Sequence, residues 1–122
     1  MSASNYLEAK ILDKVFRNVD FTVAAVYVKL HLGDPGEDCT ANAAVETSRQ
    51  QATFAAAVSG AGTIALSNTP TWAAVAASET YTYVSFWDAS TAGNPLGSGA
   101  ITPVAVTAGQ PFQLTAFTWT QT

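Results

Sequence analysis

The sequence predicts a mainly β protein: an antiparallel β-sandwich of about seven strands with one N-terminal amphipathic helix. Short runs rich in β-branched and aromatic residues recur along the chain. Turn-forming residues separate these runs about every 8–12 residues. The clearest helical periodicity lies near the N-terminus. We expect residues 1–122 to form a single sandwich domain, in which residues 1–20 are a helical attachment element and residues 21–122 the sandwich.

The predicted helix covers Asn5–Arg17. Ser4 or Asn5 can cap its N-terminus, because both side chains accept hydrogen bonds from backbone N–H groups. Apolar residues at helical spacing form one stripe: Leu7, Ile11, Leu12, Val15 and Phe16. An isolated helix of this length is marginal in water, so packing must hold it. We therefore expect the stripe to lie against the sheet or a neighbouring subunit.

A half-buried strand is predicted over residues 24–32, where apolar and polar side chains alternate. His31 falls on the polar face with Tyr27 and Lys29, so we expect it to face solvent. Residues 33–36 form a turn and residues 37–44 a polar, variable loop. Further strands are predicted over residues 45–57, 63–66 and 112–120.

Residues 80–101 are predicted to form a hairpin with a long loop. Successive side chains of a strand point to opposite sides, and both faces of its first strand are apolar or aromatic. One face carries Tyr81, Tyr83, Ser85 and Trp87, and the other carries Thr82, Val84 and Phe86. We expect one face to lie in the core and the other beneath a second element or another subunit.

The chain is poor in charged side chains. Only 11% of its residues are charged, whereas globular proteins average about 25%. After Arg49 the only charged side chains are Glu79 and Asp88. Exposed sheets normally carry more charge, so we expect a homo-oligomer or a larger assembly to cover much of the surface. The alternative is a monomer coated with Thr, Ser and Gln.

Nucleic-acid and membrane partners are not expected. The formal net charge is −4 with only five Lys and Arg, whereas a nucleic-acid backbone requires clustered cations. No run of about 18 apolar residues exists that would span a bilayer. The N-terminal residues lack the basic and apolar regions of a signal peptide.

No catalytic residue, cofactor site or metal site is predicted. His31 is the only histidine, so any Ser-His-Asp or Cys-His site would need it. Cys39 is interpreted as a bystander thiol. Asp34, Glu37 and Asp38 could hold Ca²⁺, but the spacing is not that of an EF-hand and solvated acidic turns are commoner. An inert role predicts that His31→Ala and Cys39→Ser change stability by less than about 0.5 kcal/mol.

The candidate functional residues are therefore interface residues. They are Leu7, Ile11, Val15, Phe16, Tyr81, Tyr83, Trp87 and Trp119. A different use of the aromatic residues is a carbohydrate platform formed by Trp72, Trp87 and Trp119, although tryptophan is more often a core or interface anchor.

Three motifs occur in order along the chain: NYLEAKILD at residues 5–13, VYVKLHLGDP at 26–35, and FWDA with GNPL at 86–89 and 93–96. Together they resemble a family of small tailed-bacteriophage virion structural proteins, often labelled tail fibre or minor tail protein. That family usually shows a Tyr-Ala-Arg segment after its Glu, whereas here only Arg49 of that segment follows Glu46. The resemblance implies a location in the virion, no enzymatic activity, and contacts with a major capsid or tail protein.

Two positions in the particle and one role outside this choice are considered. The main expectation is a capsid decoration (cement) protein that clamps capsid subunits. The alternative is a tail fibre or minor tail component that contributes to host attachment, and a carbohydrate-binding module is a third reading. The chain lacks the repeats of a long fibre shaft, so an extended fibre by itself is not expected.

Overall fold

The computed structural model describes residues 1–121. One helix and nine strands occur in this part of the chain, numbered in chain order. They are β1 (Ser2–Ala3), α1 (Asn5–Arg17), β2 (Val26–His31), β3 (Gln50–Ala52), β4 (Thr63–Ala65), β5 (Thr71–Trp72), β6 (Glu79–Trp87), β7 (Pro95–Val106), β8 (Phe112–Gln113) and β9 (Thr118–Thr120). The predicted mainly β architecture with an N-terminal helix is confirmed.

The strands form one large antiparallel sheet and two small ones. The large sheet has the order β1-β7-β6-β2-β3, while β4 pairs with β9 and β5 with β8. β6 and β7 form the predicted hairpin, in which Tyr83 lies opposite Ala100 and Val84 opposite Gly99. The large sheet is one layer of the sandwich, and the small sheets with their connections form the other.

The core lies between these two layers. The large sheet contributes Val28, Leu30, Val84 and Phe86, and the opposing layer contributes Trp72, Phe112, Leu114 and Phe117. The Phe86 ring centroid lies 4.9 Å from that of Phe117 and 5.8 Å from that of Phe54. Burial of these rings is the main source of stability, because each removes a large apolar area from water.

Two glycines of β7 allow the aromatic rings of the opposing layer to approach the sheet. A Cβ atom at Gly97 would lie 2.3 Å from the Trp119 ring, and one at Gly99 would lie 2.5 Å from the Phe117 ring. Both distances are shorter than van der Waals contact, so side chains cannot be added without moving the rings. Glycine in a strand interior commonly marks such a close approach.

Helix α1 has the predicted bounds, Asn5–Arg17. Its N-cap is Ser4, whose Oγ accepts a hydrogen bond from the Leu7 backbone N–H at 3.1 Å. Asn18 ends the helix in the left-handed conformation (φ 53°), which asparagine tolerates better than most residues. The Ser4 N–H donates to the Leu96 carbonyl at 3.0 Å and ties the helix start to β7.

The strand predicted over residues 112–120 is divided into β8 and β9. Phe112, Leu114 and Phe117 are all buried, so the chain does not keep the alternation of a single strand. A second difference concerns β6, where the register shifts between Tyr81 and Tyr83. This bulge turns Tyr81 into the core beside Phe112, instead of onto the face of Tyr83.

The outer edge of β3 is closed by a side chain instead of a strand. Asn68 Oδ1 accepts from the Thr53 N–H and its amide donates to the Gln51 carbonyl, both at 2.9 Å. The amide group of Asn68 thus takes the place of a neighbouring peptide unit on this edge.

Within residues 1–121, no helical segment has both the length and the apolar character needed to cross a membrane.

Candidate functional site

The C-terminal half of α1 is an exposed apolar surface. Phe16 is 79% exposed, Val15 66% and Leu12 56%, and no residue of the helix is buried. Exposed apolar residues are normal when scattered singly, but three within five residues form a continuous patch. We call Leu12, Val15 and Phe16 the helix patch. It is the part of the predicted attachment element that is available to a partner.

Two cationic side chains, Lys14 and Arg17, are neighbours of the helix patch in sequence. Arg17 donates to the Asp13 carboxylate at 3.1 Å and Lys14 bonds to Asp20. Both pairs are solvent-exposed, and such pairs contribute at most about 1 kcal/mol to stability. Their cations therefore remain available for contact with an acidic surface.

An apolar groove opens at the other end of the helix, between the two layers of the sandwich. It has a volume of about 220 Å³ and is lined by apolar side chains: Leu7, Val26, Phe54, Ile64, Phe86, Leu96 and Trp119. Leu7, in the first turn of α1, forms one wall. Trp119 forms another, because its ring lies over Gly97.

His31 is fully buried, so the expectation that it faces solvent is wrong. Residues 33–44, here called the covering loop, fold back over the outer face of the large sheet. The end of the loop pairs with the edge of β2, where the Leu32 N–H donates to the Asn42 carbonyl at 2.8 Å and the Ala44 N–H donates to the Leu30 carbonyl at 3.1 Å. The loop also reaches β1 at the opposite edge of the sheet, where Ser2 Oγ donates to the Glu37 carboxylate at 3.1 Å. The second element that covers the outer face of β6 is thus a loop of the same chain.

The imidazole of His31 joins the covering loop to the sheet. Its Nδ1 lies 2.9 Å from the Ala41 carbonyl oxygen and its Nε2 2.7 Å from Ser85 Oγ. A carbonyl only accepts, so Nδ1 carries the proton and Nε2 accepts from the Ser85 hydroxyl. Ser85 Oγ in turn accepts from the Trp87 indole N–H at 2.8 Å. Burial and the nearby Lys29 lower the pKa of His31 and favour this neutral form.

The Ser85 and His31 pair does not have the features of a hydrolytic site. Ser85 is fully buried beneath the covering loop, and its hydroxyl hydrogen already has an acceptor in His31. The group that orients His31 is a backbone carbonyl instead of a carboxylate. The arrangement is a closed hydrogen-bond chain, which satisfies buried polar groups.

Arg49 stacks on the indole of Trp87. Its guanidinium carbon lies 4.0 Å from the Trp87 ring centroid, and its Nη1 donates to the Ala89 and Ala92 carbonyls at 2.9 and 2.7 Å. Arg49 thereby holds the loop between β6 and β7 against the outer face. The sequence motif identified this arginine but not its partner.

Cys39 is also buried, in the covering loop. Burial and the carboxylates of Glu37, Asp38 and Asp34 raise its pKa to about 11. The thiol is therefore protonated and unreactive at neutral pH. Among residues 1–121 no cluster of three or more His, Cys, Asp or Glu side chains has a metal-binding arrangement.

The predicted interface residues occupy three different places. Leu7 and Trp119 line the groove, Ile11 is half-buried, and Val15 and Phe16 lie in the helix patch. Tyr83 is half-buried and Trp87 buried on the outer face, whereas Tyr81 lies in the core. The sequence reasoning missed the groove residues Val26, Phe54 and Ile64, because tertiary pairing brings them together; the pairing of β4 with β9, for example, places Ile64 opposite Trp119.

The three tryptophans do not form one platform. Trp72 is buried against Phe112, at 5.6 Å between ring centroids. Trp87 lies under Arg49 on the outer face, and Trp119 lies at the groove on the other face. No common surface is therefore available on which a sugar could stack against all three.

Comparison with known proteins gives one family. A protein-family model described as "Podophage GP4 fiber I protein gp80" matches residues 2–122. No curated protein matches this chain.

Proposed function

This chain belongs to the podophage GP4 fibre I protein family, and we propose that it is a non-enzymatic component of the tail fibre, attached to its neighbours through the helix patch. Membership makes it a virion structural protein that associates with other virion components. The family description names a fibre. It therefore supports the tail-fibre alternative better than the capsid decoration role that was the main expectation from the sequence.

The exposure of Phe16 and its neighbours is the observation that carries the proposal. A free chain that exposes Leu12, Val15 and Phe16 on a well-capped helix presents a preformed apolar surface to a partner. Covering it on assembly removes this area from water and contributes about 25 cal/mol per Å². The first turns of the helix pack on the core through Tyr6 and Leu7, whereas Leu12, Val15 and Phe16 are not part of the core.

The absence of enzymatic activity is the second part of the proposal. His31 and Ser85 are the pair most suggestive of catalysis, and the covering loop buries both. The hydrogen-bond chain supports a structural role for them.

Substitution of Phe16 tests the attachment. Phages that carry Phe16→Gln should contain fewer copies of the protein, because the variant folds but lacks the largest side chain of the patch. Val45→Gln is the matched control, since Val45 is 61% exposed and lies outside the helix. Normal occupancy of the Phe16→Gln protein in purified particles would contradict the proposal.

Electron microscopy of particles with a labelled copy tests the position. A fibre component places the label at the tail. A label distributed over the capsid surface would instead support the decoration reading.

A further inference from the structure

We propose that two copies of this chain associate head to tail, with the helix patch of one copy seated in the apolar groove of the next. The inference rests on the proposed function and specifies one partner of the attachment surface: a second copy of the chain itself.

The two surfaces match in size. The groove of about 220 Å³ has only apolar lining residues. A dry cavity of roughly 150 Å³ lined by Leu, Ile and Phe binds benzene, so the groove has room for one phenyl ring. Phe16 is the most exposed large apolar side chain of residues 1–121. Its ring has the size and the chemistry of an occupant.

A single chain cannot make this contact internally. Leu7, one wall of the groove, and Phe16 belong to the same continuous helix. Nine residues of α-helix separate them by about 13 Å along the axis. Both surfaces therefore remain open in the isolated chain, and only another molecule can bring them together.

The charge distribution favours a second copy as the partner. Residues 1–17 carry three cationic and two anionic side chains, whereas residues 18–122 carry two cationic and seven anionic ones. The helical segment thus carries a net positive charge and the rest of the chain a net negative charge. Placing the helix of one copy on the body of another brings opposite charges together.

The contact joins two different surfaces, so it is heterologous. Such contacts leave one free groove and one free helix patch at the ends of each dimer, and they continue into a ring or an open filament. This geometry distinguishes the proposal from a symmetric dimer in which two helix patches meet each other.

Mixing two defective variants tests the geometry. Phe16→Gln removes the inserted side chain, and Ile64→Gln places a polar group in the groove wall. Sedimentation velocity should show wild-type protein associating as its concentration rises and each variant alone remaining monomeric. A mixture of the two variants should form a 1:1 dimer, since one intact patch and one intact groove remain.

Val45→Gln should associate as wild type does. If Ile64→Gln does not fold by circular dichroism, Val26→Gln on another wall of the groove replaces it. Wild-type protein that stays monomeric at all concentrations would overturn the inference, as would a mixture of folded variants that stays monomeric while the wild type associates. Self-association of folded Ile64→Gln alone would also overturn it and would indicate a symmetric interface in which two helix patches meet.

The same variants separate this inference from the proposed function. A monomeric wild-type protein combined with loss of Phe16→Gln from particles would refute the head-to-tail contact and leave attachment to another virion protein standing. Normal incorporation of Phe16→Gln into particles, combined with loss of its self-association, would refute attachment through the helix patch and leave the head-to-tail contact standing.

Discussion

The strand β6 and the helix α1 are both amphipathic or apolar in sequence, yet only one of them is covered by its own chain. β6 is enclosed on one face by the core and on the other by the covering loop. The C-terminal half of α1 exposes Leu12, Val15 and Phe16. An apolar stripe thus indicates that something covers it, but whether the cover is the same chain or a partner depends on the tertiary contacts.

The largest expected effect is at Phe86, near the C-terminal end of β6. Phe86→Ala should lower the free energy of unfolding by about 3–5 kcal/mol, because it leaves a cavity in a packed core. The side chain contacts the Phe54, Phe117 and Trp119 rings. Urea denaturation followed by tryptophan fluorescence measures the loss. A change below about 1 kcal/mol would show that the core is loosely packed around this ring.

An intermediate loss of stability is expected on substitution of His31. Because the side chain is buried, this replaces the small change that the sequence alone predicted. His31→Ala leaves the Ala41 carbonyl and Ser85 hydroxyl without their buried partner, which costs about 1–3 kcal/mol. Leu32→Ala is the control, because the neighbouring side chain is 41% exposed and should change stability by less than about 0.5 kcal/mol. Equal effects of the two substitutions in urea denaturation would contradict the role of His31.

The same residue should make stability depend on pH. Burial lowers the pKa of His31 in the folded chain, so the unfolded chain takes up the proton first as the pH falls. The contribution of His31 is therefore complete above its ordinary pKa of about 6.5 and decreases as the pH falls below that value. Urea denaturation at about pH 7.5 and about pH 5.5 measures this change. His31→Gln should remove most of it, and an unchanged pH dependence in that variant would assign it to other groups.

The smallest effect on stability is expected in the helix patch. Phe16→Gln should change the free energy of unfolding by less than about 0.5 kcal/mol, because the ring has few contacts within the chain. Combined with the large loss at Phe86, this result would show that the two aromatic residues serve folding and association separately. Destabilisation of Phe16→Gln by more than about 1 kcal/mol in the same assay would instead show that the ring packs on its own chain.

Local signals were sufficient to predict α1 and much of β2 and the β6–β7 hairpin. Ser4 and the spacing of Leu7 and Ile11 fix the start and the period of the helix, and both are sequence-local properties. The burial of His31 was not predictable in the same way. The alternation in β2 places it correctly on the outer face, but only the fold of the covering loop decides that this face is closed.

The candidate site was predicted in part. The helix patch follows from the periodicity of α1, which is why Val15 and Phe16 were identified. The groove joins Leu7, Val26, Ile64 and Trp119 from distant parts of the sequence, and no local pattern connects them. Tyr81 was predicted to share a face with Tyr83 and to be an interface residue, because a bulge, which reverses the alternation at one point, leaves no clear signal in the sequence.

The side-chain amide of Asn68 restricts the addition of a further strand to the large sheet. The unpaired N–H and C=O groups of an edge strand can pair with the backbone of another chain, which leads to aggregation. Here a strand that approached the β3 edge would first have to displace both hydrogen bonds of Asn68, to the Thr53 N–H and the Gln51 carbonyl. Backbone pairing along this edge is therefore opposed by the chain's own side chain, so a contact between copies has to be made through side-chain surfaces instead.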